Sequence, residues 1–558
     1  MRYILGLVVA LTLSAVANAD DWVNTRVNED TTTELQNEEQ IVVNPANPNN
    51  LVAVWRDFRL GYRQVGFGYT MDGGVTWSNP GLFVDPHYVW DSDPALTVSA
   101  DGTFYAMLLG YTGSTYEPNG MLLYRSTDGG QSWEERGFAV NEVPDVFEDK
   151  EFIACDRTGS SYHGRIYMVW SRFYNADIYF VSSGNEGSSW TSERLVSDQT
   201  GNQFPIPAVG PDGTLYVAWT RFNGAIWFDR STDGGLTFGN DIYVTDLYTY
   251  STTLNGNVDA PSHPAMDVDI SGGPYNGRIY IAYMNRISGS NDYDIFLRYS
   301  DNQGATWSAD RRINDDPFGN GCDQFHPWLT VDNTGAVSAV WLDRRQDPQN
   351  RKWHCYVAQS TDGGMTWTPN QQVSTAPSDP SGIISEPEDI SYDAEGEEER
   401  SPEPTDFDGL YRPHQEDSRA GTIGEYIGIA SWDGYITTIW TDTRHGHQDA
   451  YGGAQELQAI EEGPHSIVRP HLRLAPNPTQ GPVAVQYDVP ADGPVSLEVF
   501  DVGGRMVRTL IDRKLRSGTG EFIWDGTDQA GRPVNPGSYW FRLRAQGIEE
   551  SGSIRLQR

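Results

Sequence analysis

The chain has 558 residues, 38% of them hydrophobic and 12% aromatic, which excludes a disordered chain and exceeds what one hydrophobic core supports. Its formal net charge of −38 makes nucleic acid and anionic lipid poor partners for the body of the protein. Clustered carboxylates of that kind suit hard cations, so a structural calcium is a side expectation.

From the N-terminus, Arg2, the apolar run Tyr3 to Val16 and the small-residue end Ala17-Asn18-Ala19 read as a secretory signal peptide over 1–19. The apolar run is too short to span a bilayer comfortably as an anchor. From residue 20 onward helical periodicity is nearly absent. Short runs rich in aromatic and β-branched residues alternate with Gly, Asn and Asp clusters, the pattern of antiparallel strands.

One turn recurs. "STDGGQSW" (126–133), "STDGGLTF" (231–238) and "STDGGMTW" (360–367) are joined by the looser "TMDGGVTW" (70–77), "SGNEGSSW" (183–190) and "SDNQGATW" (300–307). The closing aromatics, Trp77, Trp133, Trp190, Phe238, Trp307 and Trp367, are spaced by 56, 57, 48, 69 and 60 residues. A β-rich period of that size predicts a propeller. In one unit "PALTVSA", "TFYAMLLGY", "MLLYRS" and "EERGFAV" supply four strands, with the repeated turn between the third and fourth. A seventh unit, from Glu425, supplies three strands and stops. "WVNTRVNED" (22–30) resembles the outer strands of other units and is expected to complete it. The expected fold is all-β: a seven-bladed β-propeller over 20–457, with six blades as the alternative count.

Within that span, about 376–422 reads as an acidic insertion rich in Glu, Asp, Ser and Pro. Residues 458–470 read as a linker. From 471 to 558, alternating runs such as "VAVQYDV", "VSLEVFD" and "GSYWFRLRA" predict an Ig-like β-sandwich. The three cysteines, Cys155, Cys322 and Cys355, are an odd count for an exported chain. Cys322 and Cys355 share one unit and either bridge or stay free.

In such a blade the start of strand one and the end of strand two lie on the face opposite the repeated turn. That face gathers Glu38, Glu39, Asp91, Asp93, Asp149, Glu151, His263, Asp323, His326, Glu425 and Tyr426. It also gathers Arg56, Arg59, Arg172, Arg221, Arg286, Arg344, Arg345 and Arg444. Carboxylates and arginines around a central well suit acid–base work on a sugar. A competing reading comes from "W-x-D-x-R", which recurs as Asp57/Arg59, Asp343/Arg345 and Asp442/Arg444. A catalytic group is needed once, so recurrence favours a structural ion pair in each blade.

The six turns resemble the Asp boxes of the sialidase superfamily, a likeness that covers about 20–457. "LAPNP" (474–478), "LEVFDVGGRMVRTL" (497–510) and "WDGTDQAGRPVNPGSYWFRL" (524–543) resemble the Ig-like domain of flagellar hook-capping proteins and the sorting domains of type IX secretion. The second likeness implies a bacterial protein that is secreted or held at the cell surface. The first implies Tyr426 as a nucleophile and Tyr426, Glu39, Glu151 and Asp93 as candidate catalytic residues. Candidate substrate-binding residues are Arg59, Arg172, Arg286, Arg345, Arg444, His263 and His326, with no metal in the site and no cofactor required. The family's first-blade Arg-Ile-Pro motif is replaced here by Glu39-Gln40-Ile41, and unit six offers His326 at the matching spot.

These features predict a sialidase-like propeller that recognises extracellular glycans or a surface partner without a complete sialidase active site. The alternative is a retaining exo-sialidase-type hydrolase with altered specificity. The expected state is a monomer with no membrane span after signal cleavage.

Overall fold

A computed structural model of the protein describes residues 22–112, 118–143, 146–383, 391–392, 398–399, 423–455, 471–475, 479, 481–489, 493–502, 505–515, 518–545 and 548–557. The segments expected to be a signal peptide and a linker, and most of the expected acidic insertion, lie outside them. Among the described residues the regular structure is β, apart from one turn of 3-10 helix, Pro380–Gly382. None of their helices is long and apolar enough to cross a membrane.

The chain divides into two compact units, 1–457 and 458–558. Among the described residues the first contains seven four-stranded antiparallel sheets, numbered here one to seven in chain order. Their first strands are Gln36–Val43, Trp90–Val98, Phe147–Cys155, Asn202–Val209, Ala265–Val268, Gln324–Val331 and Gly428–Trp432. Sheets one to six are simple meanders. Sheet seven joins both ends of the unit: Trp22–Arg26 pairs antiparallel with Asp449–Gln455, Trp22 opposite Gln455 and Arg26 opposite Tyr451. The N-terminal segment thus supplies the strand that the last repeat lacks. A cavity of about 160 Å³ is walled by residues from the first strands of all seven sheets, from Ile41 and Leu96 round to Leu329 and Ala430.

The repeated turns hold themselves together locally and lean on a neighbour. In the turn of sheet two, Ser126 Oγ donates to Asp128 Oδ1 at 2.8 Å, and the Gly130 N–H donates to Ser126 Oγ at 2.9 Å. The Ser132 hydroxyl donates to Asp128 Oδ2 at 2.6 Å, so the carboxylate caps its own turn. The second glycine has a left-handed φ of 80–95° in all six turns. A Cβ there would strike the preceding sheet: Thr437 for Gly74, Val52 for Gly130, Leu123 for Gly187, Phe180 for Gly235, Phe228 for Gly304 and Leu297 for Gly364. Two constraints therefore select glycine, backbone conformation and sheet-to-sheet approach. The closing aromatics wedge onto the same neighbour, as Trp133 does against Phe67 and Phe83 of sheet one and Phe238 against Phe180 of sheet three.

All three cysteines are free, so of the two alternatives for Cys322 and Cys355 the unbridged one is found. The segment expected to open the acidic insertion at 376 is built into the fold through residue 383. Ser378 pairs with Trp353, and Asp379 caps the 3-10 turn.

The second unit has a three-stranded sheet (His471–Ala475, Val483–Val489, Gly518–Trp524) and a four-stranded one (Gly493–Asp501, Met506–Leu515, Gly537–Ala545, Ile548–Leu556). Both contribute to one apolar core that includes Val485, Leu497, Trp524 and Phe541.

Candidate functional site

The site begins with a backbone irregularity repeated from sheet to sheet. The pairing of strand one with strand two slips between Asn37 and Gln40, Ser92 and Ala95, Asp149 and Phe152, Gln203 and Ile206, and Phe325 and Trp328. Within each slip one residue has positive φ: Glu38 (59°), Asp93 (48°), Lys150 (53°), Phe204 (56°) and His326 (48°). Such bulges re-aim side chains that simple alternation would send elsewhere. His263 and Tyr426 stand at the corresponding places before the first strands of sheets five and seven. Three of these side chains, Glu38, Asp93 and Tyr426, meet around Lys150.

The Lys150 ammonium lies 2.8 Å from Asp93 Oδ2 and 3.4 Å from Glu38 Oε1, and it also pairs with Glu425. It sits 5.7 Å from the centroid of the Tyr426 ring. The fully buried Arg56 guanidinium stands 3.7 Å from Glu38 and donates to Asn37 at 2.8 Å. An aromatic floor carries the group: Phe152 lies 5.4 Å from Tyr426, and Trp328 lies 5.6 Å from Phe152 and 6.2 Å from Tyr426. The cluster is almost closed to solvent, and Glu425 is its most open member, with 16% of its side chain exposed.

Burial and charge split the protonation of the acids. Burial pushes Glu38 up to about 8, against the pull of Arg56 and Lys150. Burial likewise pushes Asp149 up to about 7, although Lys150 opposes it. Asp93 moves the other way: burial alone would raise it, but the Lys150 ammonium and the Ser92 hydroxyl outweigh burial and hold it below the usual carboxylate range. Burial lowers Lys150, yet its ring of carboxylates wins and keeps it protonated. Glu151 is pushed well up by burial and by Asp93, and its carboxyl has no partner beyond its own backbone N–H.

The other sequence candidates are placed as follows. Tyr426 is buried, and burial followed by the Glu38 and Asp93 charges raises its hydroxyl far above normal. Glu39 is buried behind the cluster, its carboxyl 3.0 Å from the Thr441 hydroxyl. That hydroxyl also lies 2.7 Å from the Ile423 carbonyl, and burial pushes the Glu39 carboxyl well above the usual range. His263 donates from Nε2 to the Glu425 carbonyl at 2.7 Å, and burial lowers its imidazole below the usual histidine range. His326 is fully buried, and burial with the nearby His263 lowers it to about 3.

The five candidate substrate-binding arginines do not join this group. Trp55, Trp341 and Trp440 each donate from Nε1 to the Asp two residues on, at 2.8, 2.8 and 2.9 Å. The same carboxylates, Asp57, Asp343 and Asp442, grip Arg59, Arg345 and Arg444 through two guanidinium nitrogens. In sheet three Glu148 on the adjoining strand takes the Asp's place, accepting from Trp170 at 2.6 Å and Arg172 at 2.7 Å. Arg172 is also bidentate to Glu193. Arg286 bonds the Ser290 carbonyl at 3.3 Å and lies over Tyr248. The recurring ion pair is therefore a clamp within each sheet, and none of these five arginines touches Tyr426 or its carboxylate neighbours.

Sequence reasoning missed Lys150 as the hub. Glu425 precedes the first strand of sheet seven and reaches Lys150. Aligning the strand starts "NEEQ", "DSDP", "DKEF", "NQFP", "PSHP", "DQFHP" and "GEYIG" puts Lys150 level with Glu38, Asp93 and Tyr426, which is the signal that could have found it. No group of three or more His, Cys, Asp or Glu side chains arranged to hold a metal ion occurs among the described residues.

Residues 172–385 match the family described as BNR repeat-like domain, residues 124–135 the BNR/Asp-box repeat, and residues 477–547 the FlgD Ig-like domain. A sialidase of Micromonospora viridifaciens is 28% identical over 284 residues, covering 50% of this chain and 35% of that protein. The chain therefore matches well under two thirds of that relative's length. Similar solved structures include a leech intramolecular trans-sialidase (13% identity, 58% of this chain and 68% of that chain, TM-score 0.42). The alpha-L-arabinofuranosidase Arb93A of Fusarium graminearum (12%, 61% and 97%, 0.41) and a protein of unknown function from Dyadobacter fermentans (15%, 57% and 93%, 0.39) are others.

Proposed function

We propose that this chain of BNR/Asp-box repeats with a FlgD Ig-like domain is an exported glycan-recognition protein without a complete sialidase active site. Its first unit is read as a seven-bladed propeller: seven sheets wall one cavity, and both ends of the unit meet in the last sheet. Its second unit is read as an Ig-like sandwich for surface attachment or sorting, and residues 1–19 as the export signal. The observation that carries the binding reading is the engagement of the arginines. The sialidase resemblance calls for several guanidinium groups converging on a sugar carboxylate. Here Arg59, Arg172, Arg345 and Arg444 are gripped by acids of their own sheets, and Arg286 is engaged with Tyr248 and Ser290. Glycan-array binding by the full chain, alongside a sialoside turnover assay, tests this. Release of sialic acid by the pure protein would sink it.

A second reading, glycoside hydrolysis, is favoured by the split among the central acids. A carboxyl held low (Asp93) beside carboxyls pushed up by burial (Glu38, Asp149) is the division of labour that acid–base chemistry on a glycosidic bond requires. A panel of aryl glycosides, assayed with wild type and Asp93→Asn, tests it. Turnover that survives Asp93→Asn counts against catalysis at this cluster.

A further inference from the structure

Asp91, Gly110, Gly120 and Asn141 stand opposite one another in a row across the four strands of sheet two. Directly paired residues share a face, so the two glycines leave a trough between an acid and an amide. The Tyr88 ring lies in that trough. A Cβ on Gly110 would meet Tyr88 Cδ2 at 2.5 Å, and a Cβ on Gly120 would meet the Tyr88 hydroxyl at 3.0 Å. Tyr88 belongs to the segment 83–89, which joins Ser78–Leu82 to Trp90–Val98. At one end of the trough the Tyr88 hydroxyl donates to Asn141 Oδ1 at 2.7 Å. At the other end Asp85 Oδ2 fills the space beside Asp91, 2.9 Å from where a Gly110 Cβ would stand, and the two carboxyls are hydrogen-bonded.

Two carboxyls hydrogen-bond to each other only through a proton. Asp85 Oδ1 accepts the His87 and Tyr88 backbone N–H groups at 2.6 and 3.2 Å, which makes Asp85 the acceptor of the pair. Asp91 is fully buried, and among the described residues no N–H or hydroxyl donates to either of its oxygens or to Asp85 Oδ2. The charged groups around the pair are turned elsewhere. The Arg63 guanidinium donates to the Tyr111 hydroxyl, although its carbonyl accepts the Asp91 N–H. His87 pairs with Glu135, the Tyr124 hydroxyl donates to the Val84 carbonyl at 2.9 Å, and Glu142 acts on Tyr88.

We propose that segment 83–89 is a pH-gated strap on sheet two, locked by one proton shared between Asp85 and Asp91 and released when that proton is lost. In the locked state the Asp91 O–H donates to Asp85 Oδ2. On release the O–H bond breaks, the proton passes to water, and two adjacent carboxylates remain in a buried place with no donor between them. The sign follows from the environment: burial, then the Asp85 charge, pushes the Asp91 carboxyl well above its ordinary 3.8. Its contribution to closure is full below that ordinary value and is lost as pH rises. Tyr88 does not gate the strap, because burial pushes its hydroxyl up to about 12. Phe83 anchors the start of the segment against Phe67 at 4.8 Å, while Val84 and Val89 are exposed, so the strap has room to lift. The strand it locks is the one that carries Asp93 to Lys150.

Timed chymotrypsin digestion of the full chain, with the cut after Tyr88 quantified by mass spectrometry, tests the strap. Tyr88 is 7% exposed when the strap is closed. Rates are normalised at each pH to a small peptide substrate. The wild type should be cut at least about tenfold faster at about pH 9 than at about pH 6, because the open fraction follows the deprotonated fraction. Asp91→Asn should be cut slowly and equally at both, since its amide donates to Asp85 and has no proton to lose. Asp85→Asn should behave alike and is read in its place if that variant fails to fold. A wild-type rate that does not change with pH overturns the proposal. Equal rises in the wild type and the variants overturn it and assign the opening to the other acids. Fast cutting of the variants at every pH overturns it as well, since an amide supplies the same hydrogen bond.

Discussion

At the scale of single residues, one carboxylate does two jobs in the W-x-D-x-R clamp. Asp343 is fully buried, accepts the Trp341 indole N–H and grips Arg345, which also stacks over Tyr356 at 4.5 Å. Asp343→Ala leaves a buried indole donor and a half-buried guanidinium without their partner. The expected loss is about 3 kcal/mol in urea unfolding, and a loss under about 1 kcal/mol would mean the clamp is decorative. The central acids make stability depend on pH with a definite sign. Glu38 near 8 and Asp149 near 7 keep protons in the folded chain that they release from ordinary values of 4.5 and 3.8 when unfolded. Their contribution is full below those ordinary values and is lost as pH rises toward 8, because the native state binds more protons across that window. Asp93 works oppositely: its contribution is present above 3.8 and is lost as pH falls below that value. The urea midpoint should therefore fall between about pH 5 and about pH 8.5, and Glu38→Gln should shrink the fall. Equal falls in both proteins would assign the effect to general acidic self-repulsion instead.

At the scale of the element, the repeated turn couples neighbouring sheets. Gly235 has φ 89°, and a Cβ on it would lie 2.1 Å from the Phe180 ring, so Gly235→Ala combines backbone strain with overpacking. About 3 kcal/mol of destabilisation is expected. Gly73, the first glycine of its turn, has φ 77° but open space around its Cβ, so Gly73→Ala should cost only the backbone term, about 1 kcal/mol. Thermal melts of the two variants separate conformational from contact effects, and equal losses would remove the contact argument. The turn's pattern was legible in the sequence because its hydrogen bonds run between residues two to four apart. The bulges on the first strands were not. "NEEQ" and "DKEF" carry no glycine to mark a positive φ, and alternation misplaces by one the side chain that faces the cluster. Alternation thus singles out Glu39 and Glu151, whereas the contacts around Tyr426 are made by Glu38 and Lys150.

At the scale of the whole molecule, the N-terminal strand keeps sheet seven from ending in an open edge. Trp22 and Val27 are buried, and Asn28 donates to Asp449 at 3.0 Å across the chain's length. Removing residues 22–30 would bare the Asp449–Gln455 strand and the apolar surface beneath it. The truncated chain should melt well below the intact one and self-associate on size-exclusion chromatography, as unpaired edges do. An unchanged melt would show that the other six sheets hold without this strand.

The sequence by itself determined the all-β class, the repeat and the strand that returns to complete the last sheet. Each of these is written in local spacing or in the alternation of apolar residues. It also showed that "W-x-D-x-R" recurs, from which its structural role followed. Tertiary structure alone decided which polar residues meet. Lys150, Glu38, Asp93 and Glu425 come from four sheets or their approaches; bulges turn the first three inward, Glu425 reaches in from the approach to its strand, and burial acts on their charge. The engagement of the arginines was likewise a tertiary outcome, since a guanidinium's partner depends on which carboxylate the fold brings within reach.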